Sequence, residues 1–248
     1  MNAQQHEPVP TALAKLNSFW IHGAGLAGDT WDAIRADLPL ALTPDLPGHG
    51  QMPLVDPPSV ERFALTLIDQ VPQDAVLIGH SLGGMVALEL AALLEGRVAA
   101  LVLIEAVPTV RDTLSARMSA RIATAVFKAV PSAWFTHIVG IGQAPATRAE
   151  LKRQTARMDR QRLVATLDAA AAYDGRPHLA GISVPTLIIV GRDNKATHRG
   201  AALMHKRITG AQMITLPGGH MLHTDNPTGL RQAIEDFVRS EVTQSSAP

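Results

Sequence analysis

Gly79-His80-Ser81-Leu82-Gly83-Gly84 is the stretch that decides the reading of this chain. The residues before it, Ala75 to Ile78, form a short apolar run of the kind a buried strand shows. Those after it, Met85 to Leu94, are rich in Ala, Leu and Met, as in a buried helix. A serine with glycines two positions before and after it, between strand and helix, makes a nucleophile elbow. The turn is too sharp to admit a side chain at either glycine. It lifts the serine hydroxyl to the C-terminal edge of a sheet, at a helix N-terminus that favours negative charge. The same five-residue pattern also occurs in ordinary glycine-rich strand-to-helix turns, so its weight depends on its surroundings.

Working outward, apolar runs alternate with amphipathic ones. Strands are expected at Leu16 to Ile21, Leu40 to Thr43, Ala75 to Ile78, Ala99 to Ile104, Thr186 to Val190 and Gln212 to Leu216. Helices are expected at Thr30 to Leu38 with Asp29 as cap, Ser59 to Gln70 with Ser59 as cap, Met85 to Leu94, and Asn226 to Arg239. Alternation of this kind implies right-handed crossovers and a parallel sheet, and the uninterrupted apolar strands fit a sheet covered on both faces. The first strand begins near residue 16, which predicts a mostly parallel α/β sheet of about six strands rather than eight.

The alternation breaks between Pro108 and Leu179. No strand is evident there, and helices are expected at Asp112 to Val130, Ser132 to Val139, Ala146 to Arg157 and Asp159 to Tyr173. The predicted organisation is therefore a core of residues 11–107 and 180–242, with an all-helical cap at 108–179 over the C-terminal edge of the sheet, where open α/β sheets bind ligands. Met118, Trp134, Phe135, Met158 and Tyr173 are candidates to line an apolar substrate pocket under it.

Composition narrows the function. The chain has 248 residues, 46% of them apolar, with 22 Lys and Arg against 22 Asp and Glu. A zero net charge argues against partners that need a basic surplus, namely nucleic acid and anionic membrane. There are no cysteines, which excludes disulfides, thiolate nucleophiles and cysteine-type zinc sites and fits the cytoplasm. Met1 to Pro10 lacks the pattern of a signal peptide, and no apolar run approaches the ~20 residues of a membrane span.

A serine nucleophile needs a base, an acid that orients the base, and backbone donors for an oxyanion. The base candidate is His220, in the flexible Pro217-Gly218-Gly219-His220 loop that follows a strand; His223 is its competitor. The oxyanion donors are assigned to the N–H of Leu82, directly after the serine, and of Ala24, in His22-Gly23-Ala24-Gly25 after the first strand. His22 reads as structural support for that loop.

His22-Gly23, Asp45-Leu46-Pro47-Gly48-His49-Gly50, Gly79 to Gly84 and Gly219-His220 occur in the order seen in the α/β-hydrolase fold superfamily, which the chain resembles over most of its length outside 108–179. The resemblance implies a serine hydrolase acting through an acyl-enzyme on a small to medium apolar ester, thioester or lactone, without metal or organic cofactor. Carbon–carbon bond hydrolysis, a cofactor-free lyase reaction and small-molecule sensing use the same fold. An aspartate-nucleophile dehalogenase or epoxide hydrolase does not fit, because position 81 is serine and Tyr173 is the sole tyrosine.

The acid departs from the family pattern. After the strand Thr186 to Val190 the family usually carries Gly-x-x-Asp, whereas this chain has Gly191-Arg192-Asp193-Asn194. Some members place the acid after the strand that follows the nucleophile helix, which here is Glu105. An ionisable side chain that ends the apolar run Leu101 to Ile104 at the catalytic edge needs a partner, and a protonated His220 would supply one. Glu105 is therefore the first candidate, with Asp193 and a neutral Asn194 as alternatives.

Overall fold

The computed structural model describes residues 11–111 and 144–242. Six parallel strands form one sheet in the order β2-β1-β3-β4-β5-β6. They are β1 (Ser18–Ile21), β2 (Ala41–Leu42), β3 (Ala75–His80), β4 (Val98–Ile104), β5 (Thr186–Gly191) and β6 (Gln212–Leu216). The described helices are α1 (Asp32–Arg35), α2 (Val60–Leu67), α3 (Leu82–Leu93), α4 (Pro145–Thr155), α5 (Arg160–Ala172), α6 (Lys195–Arg207), α7 (Leu222–Asp225) and α8 (Pro227–Glu241). The six-stranded parallel architecture is the one the sequence predicts.

Strand pleating divides the core in two. Phe19 and Ile21 of β1, Leu77 of β3, Leu101 and Leu103 of β4, and Ile188 and Val190 of β5 pack on one face with α2, α3 and α6. Their neighbours Trp20, Val76, Ile78, Val102, Ile104, Leu187 and Ile189 pack on the other with α8. Successive side chains of a strand point to opposite faces, so a sheet covered on both sides needs apolar residues at every position. Helix α3 is buried on every side from Leu82 to Ala91 and is correspondingly apolar apart from Glu89. Helices α2 and α8 are one-sided: Val60, Phe63, Ala64 and Leu67 face the core in α2, and Leu230, Ile234, Phe237 and Val238 in α8. Both carry side-chain caps, with Ser59 Oγ accepting from Arg62 N–H and Asn226 from Gly229 N–H.

The expected helix over Thr30 to Leu38 is instead a 3-10 turn, Gly28–Trp31, leading into the single turn α1. Asp29 does not cap it. Its carboxylate accepts from Arg153, Gln154 and Arg157, a set of charge-assisted bonds that outweighs one local backbone donor. In the 108–179 region, the expected helices at Ala146 to Arg157 and Asp159 to Tyr173 correspond to α4 and α5. Those at Asp112 to Val130 and Ser132 to Val139 lie outside the described residues, as do Met118, Trp134 and Phe135.

The chain runs outward from β1 to β2 and returns to β3 on the other side of β1. That reversal opens a crevice at the carboxyl ends of β1 and β3, where doubly wound sheets bind ligands. Two glycines let the chain fit there. A Cβ on Gly83 would stand 2.2 Å from the Ile21 carbonyl oxygen, and one on Gly79 would stand 2.3 Å from that of Gly83. Gly83→Ala is therefore expected to lower stability by about 3 kcal/mol or more, through overlap with rigid backbone. Gly181→Ala, where an added Cβ meets nothing within 4 Å, should change it by less than about 0.5 kcal/mol. Chemical denaturation of the two variants checks the contrast.

Candidate active site

Ser81 occupies φ 54°, ψ −118°, a strained conformation for a residue with a side chain. Its N–H donates to the Ile104 carbonyl, and its own carbonyl accepts from Gly84 and Met85. The strand, the turn and the first turn of α3 are thus tied into one unit that holds the hydroxyl outward. The loop after β1 lies directly alongside, since a Cβ on Gly23 would be 3.2 Å from Ser81 Cβ.

Three of the expected residues come together. His220 Nε2 is 3.1 Å from Ser81 Oγ, and His220 Nδ1 is 3.3 Å from Glu105 Oε2. The Glu105 side chain is fully buried, whereas that of His220 is 41% exposed on the crevice side. Glu105 ends β4 at φ 50° with its N–H still donating to Ile189 O, so the backbone turns sharply and aims the carboxylate at β5. There it accepts from the Gly191 N–H, the Asn194 side-chain amide and, at 2.8 Å, the Thr197 hydroxyl. Burial alone would push this carboxyl up. The hydrogen bonds from His220, Gly191, Asn194 and Thr197 outweigh it and hold the group below its ordinary value. A carboxylate accepts only, so His220 Nδ1 carries the ring proton and Nε2 is left to accept from the serine.

Asp193, the alternative acid, is exposed, and its backbone N–H donates to Gly218 O. Among the described residues no contact joins its side chain to His220. Asn194 stands at the family's usual acid position but serves Glu105 as a donor. Its amide nitrogen is also 3.1 Å from His220 Nδ1, and both nitrogens face the same Glu105 oxygen. Thr197, one turn into the next helix, went unnoticed in the sequence, where nothing but its place in the first turn of a helix beside the acid loop marks it.

The loop after β1 is braced by two neutral histidines. Leu46 N–H donates to His22 Nε2 at 3.0 Å, and Gly25 N–H donates to His49 Nε2 at 3.1 Å. Their other ring nitrogens face the carbonyls of Gly23 and Pro47. Burial, and for His22 the neighbouring His49, lowers His22 to about 3; burial lowers His49 to about 4. With Gly25 N–H spent on His49 and Leu26 N–H on the Gly23 carbonyl, Ala24 N–H has no acceptor among the described residues. Leu82 N–H, in the first turn of α3, likewise has no intrahelical partner.

The rival base, His223, is buried, with Nε2 3.0 Å from the Thr30 hydroxyl, and burial lowers it to about 4. His80 is buried behind His220, whose carbonyl it meets at 2.8 Å, and burial with the nearby His220 and His223 lowers it well below its ordinary value. Of the candidate pocket residues, Tyr173 donates its hydroxyl to Glu89, two turns along α3 from Ser81, and burial with Glu89 raises its pKa. Met158 lines a separate cleft of about 450 Å³ with Asp29, Asp45 and Arg157. Neither is brought to the serine. Among the described residues, no group of three or more His, Asp or Glu side chains is arranged to hold a metal ion, and no helix is long and apolar enough to cross a membrane.

Buried neutral histidines make a pH prediction. Unfolded histidines take protons below about 6.5, whereas native His22, His49 and His223 do so only near 3 to 4. The unfolded chain then binds more protons, so these groups stabilise above about 6.5 and lose that contribution as pH falls toward 4, each by up to about 1.4 kcal/mol per pH unit. Thermal unfolding between pH 7.5 and 5 should show this slope, reduced by about one proton in His49→Gln.

A model described as the alpha/beta hydrolase family matches residues 19–233. A pimeloyl-(acyl-carrier protein) methyl ester esterase of Aromatoleum aromaticum is 45% identical over 91 residues, a match that spans 36% of each chain. A protein of the same name from Neisseria meningitidis serogroup B is 29% identical over 95% of this chain and 96% of its own. The crystal structure of a hydrolase from Pseudomonas aeruginosa PA01 superposes with a TM-score of 0.73 at 25% identity, covering 91% of both chains.

Proposed function

This chain belongs to the alpha/beta hydrolase family, and from that premise we propose that it is a serine esterase whose triad is Ser81, His220 and Glu105. The observation that carries the reading is the pair of contacts on one imidazole, 3.1 Å to the serine hydroxyl and 3.3 Å to a buried carboxylate. His220 Nε2 takes the Ser81 proton as Oγ attacks the ester carbonyl. The negative oxygen is held by the N–H groups of Ala24 and Leu82 at the N-terminus of α3. His220, now charged and stabilised by Glu105, returns the proton to the leaving alcohol. It then deprotonates the water that attacks the acyl-enzyme, and gives that proton back to Ser81 as the acid departs.

The substrate is a small to medium apolar ester, with a thioester or lactone as close chemical equivalents. The names of the relatives favour an ester with a small alcohol such as methanol. The described part of the expected cap, α4 and α5, borders the crevice, and the enzyme acts in the cytoplasm.

A fluorophosphonate probe should label the wild type and leave Ser81→Ala unlabelled. On short-chain p-nitrophenyl and methyl esters, Glu105→Gln should lower kcat by about 10³ to 10⁴ while Asp193→Asn stays near wild type. Labelling of Ser81→Ala, or near-normal turnover in Glu105→Gln, overturns the assignment.

A further inference from the structure

Helix α4 buries a polar face. Thr147, Glu150 and Gln154 lie at spacings of three and four residues, on one side of the helix. Thr147 is fully buried and Gln154 is 3% exposed. A packed helix ordinarily turns an apolar stripe inward, and each buried polar group costs stability unless it is bonded. All three are bonded, and their partners lie around His220.

The Thr147 hydroxyl donates to Asp225 Oδ1 and lies 2.7 Å from the Thr224 hydroxyl. The other oxygen of Asp225 accepts from the N–H of Gly219, the residue before His220, at 2.8 Å. Glu150 accepts from the Thr30 hydroxyl at 3.0 Å, and Thr30 in turn meets His223 Nε2 at 3.0 Å. Because the Thr30 proton is spent on Glu150, Thr30 accepts from His223, which fixes the His223 tautomer. Gln154 donates to Glu150 and to Asp29, beside the loop that carries Ala24. The segment between Gly219 and Asp225 is therefore tied end to end by the Asp225 carboxylate, and α4 holds that carboxylate directly.

That segment needs holding. Pro217-Gly218-Gly219 leads into His220, and Gly218 has φ 131°, a conformation open to glycine. Two consecutive glycines give the base little local stiffness of its own. An apolar contact would leave it free to slide, whereas directed bonds to charged acceptors fix both distance and register.

We propose that helix α4 is a positioning element for the catalytic base, acting through Thr147 on Asp225 and through Glu150 on Thr30 and His223. The proposal rests on the reading of His220 as that base. It gives the inserted region a role in placing the imidazole against Ser81. Thr147 is a positioning residue, since it reaches the reacting atoms only through Asp225 and the Gly219 backbone.

The test measures kcat and KM on one p-nitrophenyl ester for Thr147→Val, Thr147→Ser and His220→Ala, with circular dichroism to check folding. Thr147→Val should lower kcat by roughly 10- to 100-fold, the cost of displacing a catalytic group by up to an ångström, with KM within about twofold of wild type. Thr147→Ser, which restores the hydroxyl, should recover the wild-type kcat. Unchanged kcat in a folded Thr147→Val, or a rise in KM alone, overturns the proposal. Retained activity in His220→Ala overturns the underlying triad instead, so the two failures are distinct. If Thr147→Val does not fold, Asp225→Asn carries the same comparison, because it removes the charge that Thr147 and Gly219 share.

Discussion

A carboxylate at the end of a wholly apolar strand must find its donors elsewhere, and the site is organised around how Glu105 does so. Its partners come from the end of β5, from the loop after it, from the start of α6 and from the loop after β6. Each of these segments is thereby fixed against the others by a bond to one charge. The donors make burial tolerable, since hydrogen bonds to the charged form offset the desolvation that would otherwise neutralise it. The ion is then available to hold His220 in the tautomer that can accept a proton from Ser81.

The serine is fixed by a second constraint, the fit of bare backbone at Gly79 against Gly83 and Gly84 and at Gly83 against Ile21 and His22. That close approach sets the strained Ser81 conformation and puts Gly23 and the Ala24 loop within reach of it. Around these two anchors stand four buried histidines, His22, His49, His80 and His223, each lowered by burial and so uncharged at neutral pH. They act as hydrogen-bonding braces, which leaves the half-exposed His220 as the ring positioned to exchange a proton with the crevice.

Much of this was legible in the sequence because the elements concerned are strongly patterned. Apolar strands bounded by glycine-rich turns gave the parallel sheet, and the Gly-x-Ser-x-Gly turn marked the crevice. The contact of Glu105 with His220 was legible for a physical reason: asparagine at position 194 carries no charge, and a glutamate after Leu101 to Ile104 needs a partner. The Asp29 cap was misread because its real partners, Arg153, Gln154 and Arg157, are more than a hundred residues away in sequence. Local propensity carries no information about such bonds. The same holds for Tyr173, read as pocket lining and found bonded to Glu89, and for Thr147 and Thr197, whose hydroxyls matter only through distant carboxylates.

The central claim is that Glu105 holds the proton on His220 Nδ1 so that Nε2 faces Ser81 unprotonated. Nitrogen-15 NMR of the histidine-labelled protein, at a pH where the His220 ring is neutral, reads this directly. The account predicts that the His220 resonances, assigned by their loss in His220→Ala, report protonated Nδ1 and bare Nε2, and that this preference weakens in Glu105→Gln. A His220 ring protonated at Nε2, or one whose tautomer is indifferent to Glu105, would contradict it.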